Sequence, residues 1–411
     1  AIQLDSSFAL AYDARATALC QMKDYAGAIA DCDKAIGLTA HDEHVYVIKG
    51  GCSFYLQDIQ GALKSLNQAV EMDSDDPLAR GIRGLALARG REWESAMADF
   101  NKAVDVDPDN ALAYYGRAIV DFSLKDYDKS LANVSRAIKL DGTLPDAYGL
   151  RAAVNMHLKD RAGAFADANA GIQFASTNGT SASRYRSYLD RANVETTWDD
   201  FSGASNDIET AVMMDPTRPD IDLCRGALEQ KCGNFEGALA DFSRGLLRET
   251  DNVDIDVVYE SMGYDQAELG QWQPALESFR KAMTFQPPPD DAAFQVFLIE
   301  RRLGQTRQAK EELAAYIKSI PAAKAGDWTT SIAHFLAGTL NESDFIAQAT
   351  TNAKRPTDVP TQTGDAWYYA GMQHLLAGDK PGALKRFKKC LKFGDDNSDN
   401  YTMAKSLLVK H

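Results

Sequence analysis

The sequence has 411 residues but no run of 18 or more apolar ones, so nothing in it reads as a membrane-spanning helix. No charged-then-apolar start resembles a signal peptide either, and a soluble chain is expected, with cytoplasm and periplasm both open. Histidine is scarce and scattered, at His41, His44, His157, His334, His374 and His411. Neither an HExxH motif nor a P-loop, GxGxxG or GxSxG motif occurs. The six cysteines form no CxxC pair and no Cys/His set of zinc spacing. Cys224 and Cys232 would lie about two turns apart on one helix, too far for a disulfide, so free buried thiols are expected. Acidic pairs such as Asp199 and Asp200 fall at helix starts, where carboxylates favour the helix dipole. These absences argue against an enzyme, and no catalytic residue, cofactor or metal is expected.

Positive charge is also in short supply. Against 59 acidic residues stand 44 basic ones, a formal charge of −15, which disfavours nucleic acid and anionic membrane surfaces as partners. A cationic or apolar protein partner suits the chain better. The one basic cluster comprises Lys380, Lys385, Arg386, Lys388, Lys389 and Lys392. It reads as a solvated helix face, or as a docking patch for an acidic surface such as another copy of the chain.

What the sequence does have is a period. A small residue recurs at Ala28, Ala62, Ala96, Ser130, Ala164, Ala204, Ala238, Ala275 and Ala309, with steps of 34, 34, 34, 34, 40, 34, 37 and 34. Three residues before most of them stands an aromatic or apolar residue (Tyr25, Ile59, Trp93, Tyr127), and seven after stands alanine (Ala35, Ala69, Ala103, Ala137). Apolar residues at helical spacing alternate with short Asp, Asn, Gly and Pro breaks, as in Pro77 to Pro108. Gly50, Gly84, Gly226 and Gly263 fall in mid-helix, where glycine costs about 1 kcal/mol relative to alanine. Close approach of the second helix would offset that cost. Arg15, Arg83, Arg151, Arg191 and Arg225 each precede an aspartate by 16 residues, which predicts ion pairs between the two helices of a unit.

This pattern resembles the tetratricopeptide repeat, a 34-residue helix-turn-helix unit. The resemblance implies an all-α fold, a right-handed α-solenoid of stacked helix-turn-helix repeats with a C-terminal capping helix. Residues 1–320 are expected to form a partial first unit and nine repeats, with a longer loop near 176–183 as a hinge candidate. The opening AIQLD has the form of a second helix's end, so the chain is expected to begin inside an earlier repeat. Residues 321–411 are expected to hold a diverged hairpin, a polar linker at 355–364, a final hairpin and the capping helix. The segment from Trp328 to Leu408, with WxxxIxxFLAG, WYYAG at Trp367–Gly371, and Tyr401 to Leu408, resembles the tail of bacterial envelope lipoprotein adaptors built from these repeats. That implies a bacterial source and allows anchoring at the envelope through a segment upstream.

In this repeat family the concave groove is lined by the first helix of each unit, and positions 2, 5, 9 and 12 share one face. The resemblance therefore assigns a protein-binding strip to Val47, Phe54, Leu85, Tyr115, Ile119, Phe122 and Met156, becoming more polar toward Asn193 and Tyr264. Either the strip binds an extended segment or amphipathic helix, or its residues are consumed in contacts between neighbouring first helices. The family's carboxylate clamp is not matched, since Asp13 and Thr17 stand where Lys and Asn are needed; nor is the asparagine ladder, since the sixth positions read Ala14, Ile48, Ile82, Gly116 and Leu150. A non-enzymatic scaffold that binds a protein or peptide is the expected function. The alternatives are a recruiting segment of a larger enzyme and a self-associating array.

Overall fold

The computed structural model describes residues 8–39, 42–178, 181–248, 255–285, 289–320, 326–353, 355–356, 358–395 and 398–410. The opening AIQLD and His41 lie outside them. Among the described residues every regular element is an α-helix, so the expected all-α stack of helical hairpins is what forms. The chain divides into two compact units, Ala1–Val194 and Glu195–His411.

Unit 1 contains five hairpins: α1 (Ala9–Gln21) with α2 (Tyr25–Leu38), α3 (Glu43–Tyr55) with α4 (Ile59–Met72), α5 (Pro77–Arg89) with α6 (Trp93–Val106), α7 (Ala111–Ser123) with α8 (Tyr127–Leu140), and α9 (Pro145–His157) with α10 (Arg161–Asn178). The boundary falls inside α11 (Ser181–Thr197). Most of the insertion expected as a loop at 176–183 instead lengthens α10 and α11 to 18 and 17 residues. Continuing a helix satisfies backbone groups that a loop would leave to solvent.

The periodic small residues are where the two helices of a hairpin meet. Ala28, Ala62, Ala96, Ser130 and Ala164 in unit 1, and Ala204, Ala238, Ala275 and Ala309 in unit 2, are all fully buried. The mid-helix glycines match a large partner 16 residues on. A methyl group on Gly84 would lie 2.6 Å from the Phe100 ring, and one on Gly50 would lie 2.5 Å from Leu66. Phe100 also fills the space beside Gly116 on the next hairpin, so one ring joins two units of the repeat. Where alanine replaces the glycine, as at Ala16 and Ala118, the residue 16 further on is the smaller Cys32 or Val134.

Four of the five expected arginine–aspartate pairs lie within a single unit, and all four form. The Arg15, Arg83 and Arg225 Nε atoms meet Asp31, Asp99 and Asp241 at 2.5, 2.6 and 2.8 Å, and Arg151 Nη2 meets Asp167 at 2.6 Å. Where Met262 and Ser278 replace the pair, Ser278 donates to Gln266 at 2.7 Å. Asp24, Asp58, Asp126 and Asp160 cap the second helices by accepting a backbone N–H three residues on, at 3.0, 2.9, 3.4 and 3.0 Å, a device worth about 1 kcal/mol each. The residue before each of those caps is left-handed: Lys23, Gln57, Lys125 and Lys159 in unit 1, with glycines such as Gly233 and Gly270 at the same place in unit 2.

Unit 2 starts with α12 (Phe201–Met214) and continues as hairpins: α13 (Pro219–Lys231) with α14 (Phe235–Leu247), α15 (Ile255–Glu268) with α16 (Trp272–Ala282), α17 (Asp290–Arg302) with α18 (Thr306–Ser319), α19 (Trp328–Leu336) with α20 (Glu342–Thr351), and α21 (Asp358–Leu376) with α22 (Lys380–Phe393). It ends with α23 (Asp399–Lys410). No boundary falls near residue 320, because one core runs from Tyr264 through Phe294, Leu313 and Trp328 to Tyr369 and Leu407. The linker expected at 355–364 is helical from Asp358. Pro356 precedes that helix and Pro360 sits in its first turn, where N–H groups have no intrahelical acceptor to lose.

Candidate functional site

In unit 1 the first helices touch in succession, α1 to α3, α3 to α5, α5 to α7 and α7 to α9, whereas the second helices make no comparable contact among the described residues. The first helices therefore line the inner side of the curve. Position 2 of each leans on position 5 of the one before. His44 meets the Asp13 carboxylate at 3.0 Å, and Leu112 covers Gly81, 3.2 Å from where a side chain would begin. The fifth positions are thus partly covered. Val47 is 4% exposed, buried among Ala69, Val70 and Ala79, and is no part of an accessible strip.

Positions 9 and 12 stay on the surface. Phe54, Leu85, Ile119, Phe122 and Met156 are half-buried, on four successive first helices that touch one another. The Arg89 guanidinium lies 4.9 Å from the Phe54 ring centroid, while Phe122 meets His157 edge-on at 5.4 Å. His157 in turn stacks on Tyr127 at 4.4 Å, as Tyr55 stacks on Tyr25 at 5.0 Å. Residue 13 of α3, α5 and α9 (Tyr55, Arg89 and His157) thereby reaches back to the preceding hairpin at the strip's edge. Tyr115 is half-buried in the middle, its hydroxyl pushed well up by burial and by the Asp146 carboxylate nearby. Asn193 is exposed. Sequence reasoning passed over the second positions Leu10 and Leu78, which are 60% and 50% exposed. They share the same helical face, and that signal was present in the numbering itself.

Unit 2 treats the corresponding face differently. Tyr264 is 8% exposed and set edge-on against Phe279 at 5.1 Å, so it belongs to the core and not to a groove. Phe294 and Leu298, the fifth and ninth positions of α17, are buried, and Phe294 meets Tyr369 of α21 at 5.9 Å. The inner side of unit 2 is filled by its own side chains. The basic cluster on α22 is likewise partly engaged: Arg386 pairs with Glu342 at 2.6 Å, and the Lys389 ammonium lies 3.8 Å over Trp367.

Among the described residues no group of three or more His, Cys, Asp and Glu is placed to hold a metal ion. Burial pushes the Cys32 and Cys390 thiols up to about 12, so both are protonated, unreactive thiols at neutral pH. Among the described residues no helix is long and apolar enough to cross a membrane.

A stack of helical hairpins with small residues at a fixed period and an apolar inner strip defines a helical-repeat protein. Residues 54–111 match the family model of the tetratricopeptide repeat, and the same hairpin geometry recurs on either side of them. Those residues are a tetratricopeptide repeat segment. No curated protein matches it. Solved structures similar to it include a tetratricopeptide repeat protein from Parabacteroides merdae, 16% identical over 62% of this chain and 98% of that one, with a TM-score of 0.47. Another is PilW, a type IV pilus biogenesis factor, 16% identical over 52% of this chain and 96% of its own, with a TM-score of 0.44. A third is pilF of Pseudomonas aeruginosa, 14% identical over 53% and 96%, with a TM-score of 0.42.

Proposed function

We propose that the chain is a scaffold that binds a segment of a protein partner along the inner strip of unit 1. The observation that carries this reading is the row Phe54, Leu85, Ile119, Phe122 and Met156, apolar side chains left half-exposed on a face where α15 and α17 of unit 2 bury Tyr264, Phe294 and Leu298. Contiguous apolar surface on a concavity marks interaction sites. A helix or extended segment with apolar residues at regular spacing would cover it. Arg89, Asp146 and Arg186 at the borders supply charges of both signs for orienting such a segment. The polar rim favours a segment that carries charge as well as apolar residues.

Peptides selected from a displayed random library against the full chain test the idea. The double variant Ile119→Asp, Met156→Asp changes two strip residues that are half-buried. It is expected to keep the wild-type helicity and melting temperature and to lose about tenfold or more in affinity for the selected peptides. Equal binding by the double variant would reject the strip as the site.

A further inference from the structure

The inner strip of unit 1 crosses α3, α5, α7 and α9, and its side chains offer a partner almost nothing to hydrogen-bond. At the fifth, sixth, ninth and twelfth positions of these helices the Tyr115 hydroxyl is the single side-chain oxygen, and no side-chain nitrogen occurs. An extended segment laid there would press main-chain N–H and C=O groups against apolar side chains. Those groups would lose water and gain no partner, which is costly. A helix escapes the penalty, because its amides are paired along its own axis.

The length of the strip suits a helix as well. Packed helices stand about 8–10 Å apart, so the three steps from α3 to α9 span about 24–30 Å, the length of a helix of about 16–20 residues. One step is close to the ~10.5 Å that seven helical residues rise. Apolar residues repeating every seven on the partner would therefore meet Phe54, Leu85, Phe122 and Met156 in turn, on first helices that touch in succession.

Charge at the borders narrows the partner further. The second and thirteenth positions of the same four helices flank the strip, and two of them hold a permanent charge, Asp146 in the first turn of α9 and Arg89 at the end of α5. Both are exposed. They stand on opposite edges with α7 between their helices, and both act on the Tyr115 hydroxyl in the middle. Two steps along the strip are about 16–20 Å, or about 11–13 residues of a helix.

We propose that the occupant of the strip is an amphipathic helix of about 16–20 residues with apolar residues at heptad spacing, an acidic residue set against Arg89 and a basic one against Asp146. This rests on the strip being the binding site, and the test separates the two.

Two displayed libraries of peptides of about 20 residues are selected against the full chain. One fixes apolar residues at the a and d positions of a heptad; the other has the same composition with prolines spaced so that no helix can form. Binders are expected from the first library alone. They should gain helical circular dichroism on binding and lose about tenfold or more in affinity for the Ile119→Asp, Met156→Asp variant. Arg89→Glu is expected to weaken them about threefold or more, and changing the peptide's acidic residue to lysine should restore the loss. Binders from the proline library that fail on the double variant would overturn the helix and leave the strip as the site. Helical binders indifferent to Arg89→Glu would overturn the charge assignment. No binders from either library, or binders indifferent to the double variant, would overturn the strip and the helix together.

Discussion

Gly84 and Phe100 occupy a single packing position between them: a methyl on the glycine would lie 2.6 Å from the ring. Substitution of Gly84 by leucine is expected to destabilise the chain by about 1–3 kcal/mol, since the gain in helix propensity does not offset the overlap. Gly84→Ala should cost less, and Gly84→Ala with Phe100→Val should recover part of the loss, because Ala118 and Val134 already form that combination. A double-mutant cycle on thermal midpoints measures the coupling. Strict additivity would contradict the shared position.

The ion pairs differ in what they contribute. The Arg83 side chain is 19% exposed and Arg15 51%, although both meet a buried aspartate. Asp99→Ala removes the carboxylate that Arg80 and Arg83 share, leaving them only Ser74 and Asn67, and is expected to cost about 3 kcal/mol. Asp31→Ala leaves Arg15 in solvent and should lower the melting temperature less. Replacing Arg80, Arg83 and Asp99 together by apolar residues of similar volume should restore much of the stability lost in Asp99→Ala.

Lys23 holds φ at +64° in the turn before Asp24, a conformation that costs an L-residue on the order of 1 kcal/mol. Lys23→Gly is expected to stabilise the chain slightly, by about 0.5 kcal/mol after the larger entropy of the unfolded glycine is counted. The converse change in unit 2, Gly233→Ala at φ +78°, should destabilise by about 1 kcal/mol. Thermal midpoints of the two variants should move in opposite directions.

Acid should stabilise unit 2. Burial pushes the carboxyls of Asp265, Glu300 and Asp365 up to about 7. The folded chain therefore keeps protons that the unfolded chain releases near pH 4. This contribution is complete below about pH 4 and is lost as pH rises through about 7. The melting temperature should accordingly be higher at about pH 5.5 than at about pH 7.5, and Asp265→Asn should narrow the difference by on the order of 1 kcal/mol. Melts at the two pH values check both statements, and a pH-independent difference between variant and parent would refute the assignment to Asp265.

The repeat itself was legible because its determinants are local and periodic. Ala28, Ala96 and Ala238 must be small wherever two helices cross, so the positions repeat with the hairpin. The arginine–aspartate pairs were legible for the same reason, since a spacing of 16 residues connects one face of each helix in a hairpin. Contacts that leave the period were not legible. Val47 is buried between its own second helix and Ala79 of the next hairpin, and Tyr264 lies in a core that reaches Leu407, a distance in sequence that no 34-residue pattern encodes. The linker reading failed on Pro360, because a proline in a helix's first turn looks in sequence like a break. The candidate strip was therefore only half legible: which residues share a helical face followed from the numbering, and the sequence held no sign of which hairpins would close over that face.

Lys410 donates to the Glu268 backbone carbonyl at 2.7 Å, across 142 residues. Among the described residues of unit 1 the helix contacts connect each hairpin to its neighbours, so a copy inserted or deleted there would lengthen or shorten the stack and leave the remaining contacts in register. Unit 2 has no such freedom, because α23 must arrive at α15. Deleting the hairpin α17–α18 would remove the Phe294–Tyr369 contact and displace the end that Lys410 pins. Unit 1 can therefore drift in repeat number over evolution, whereas the copy number of unit 2 is fixed by closure.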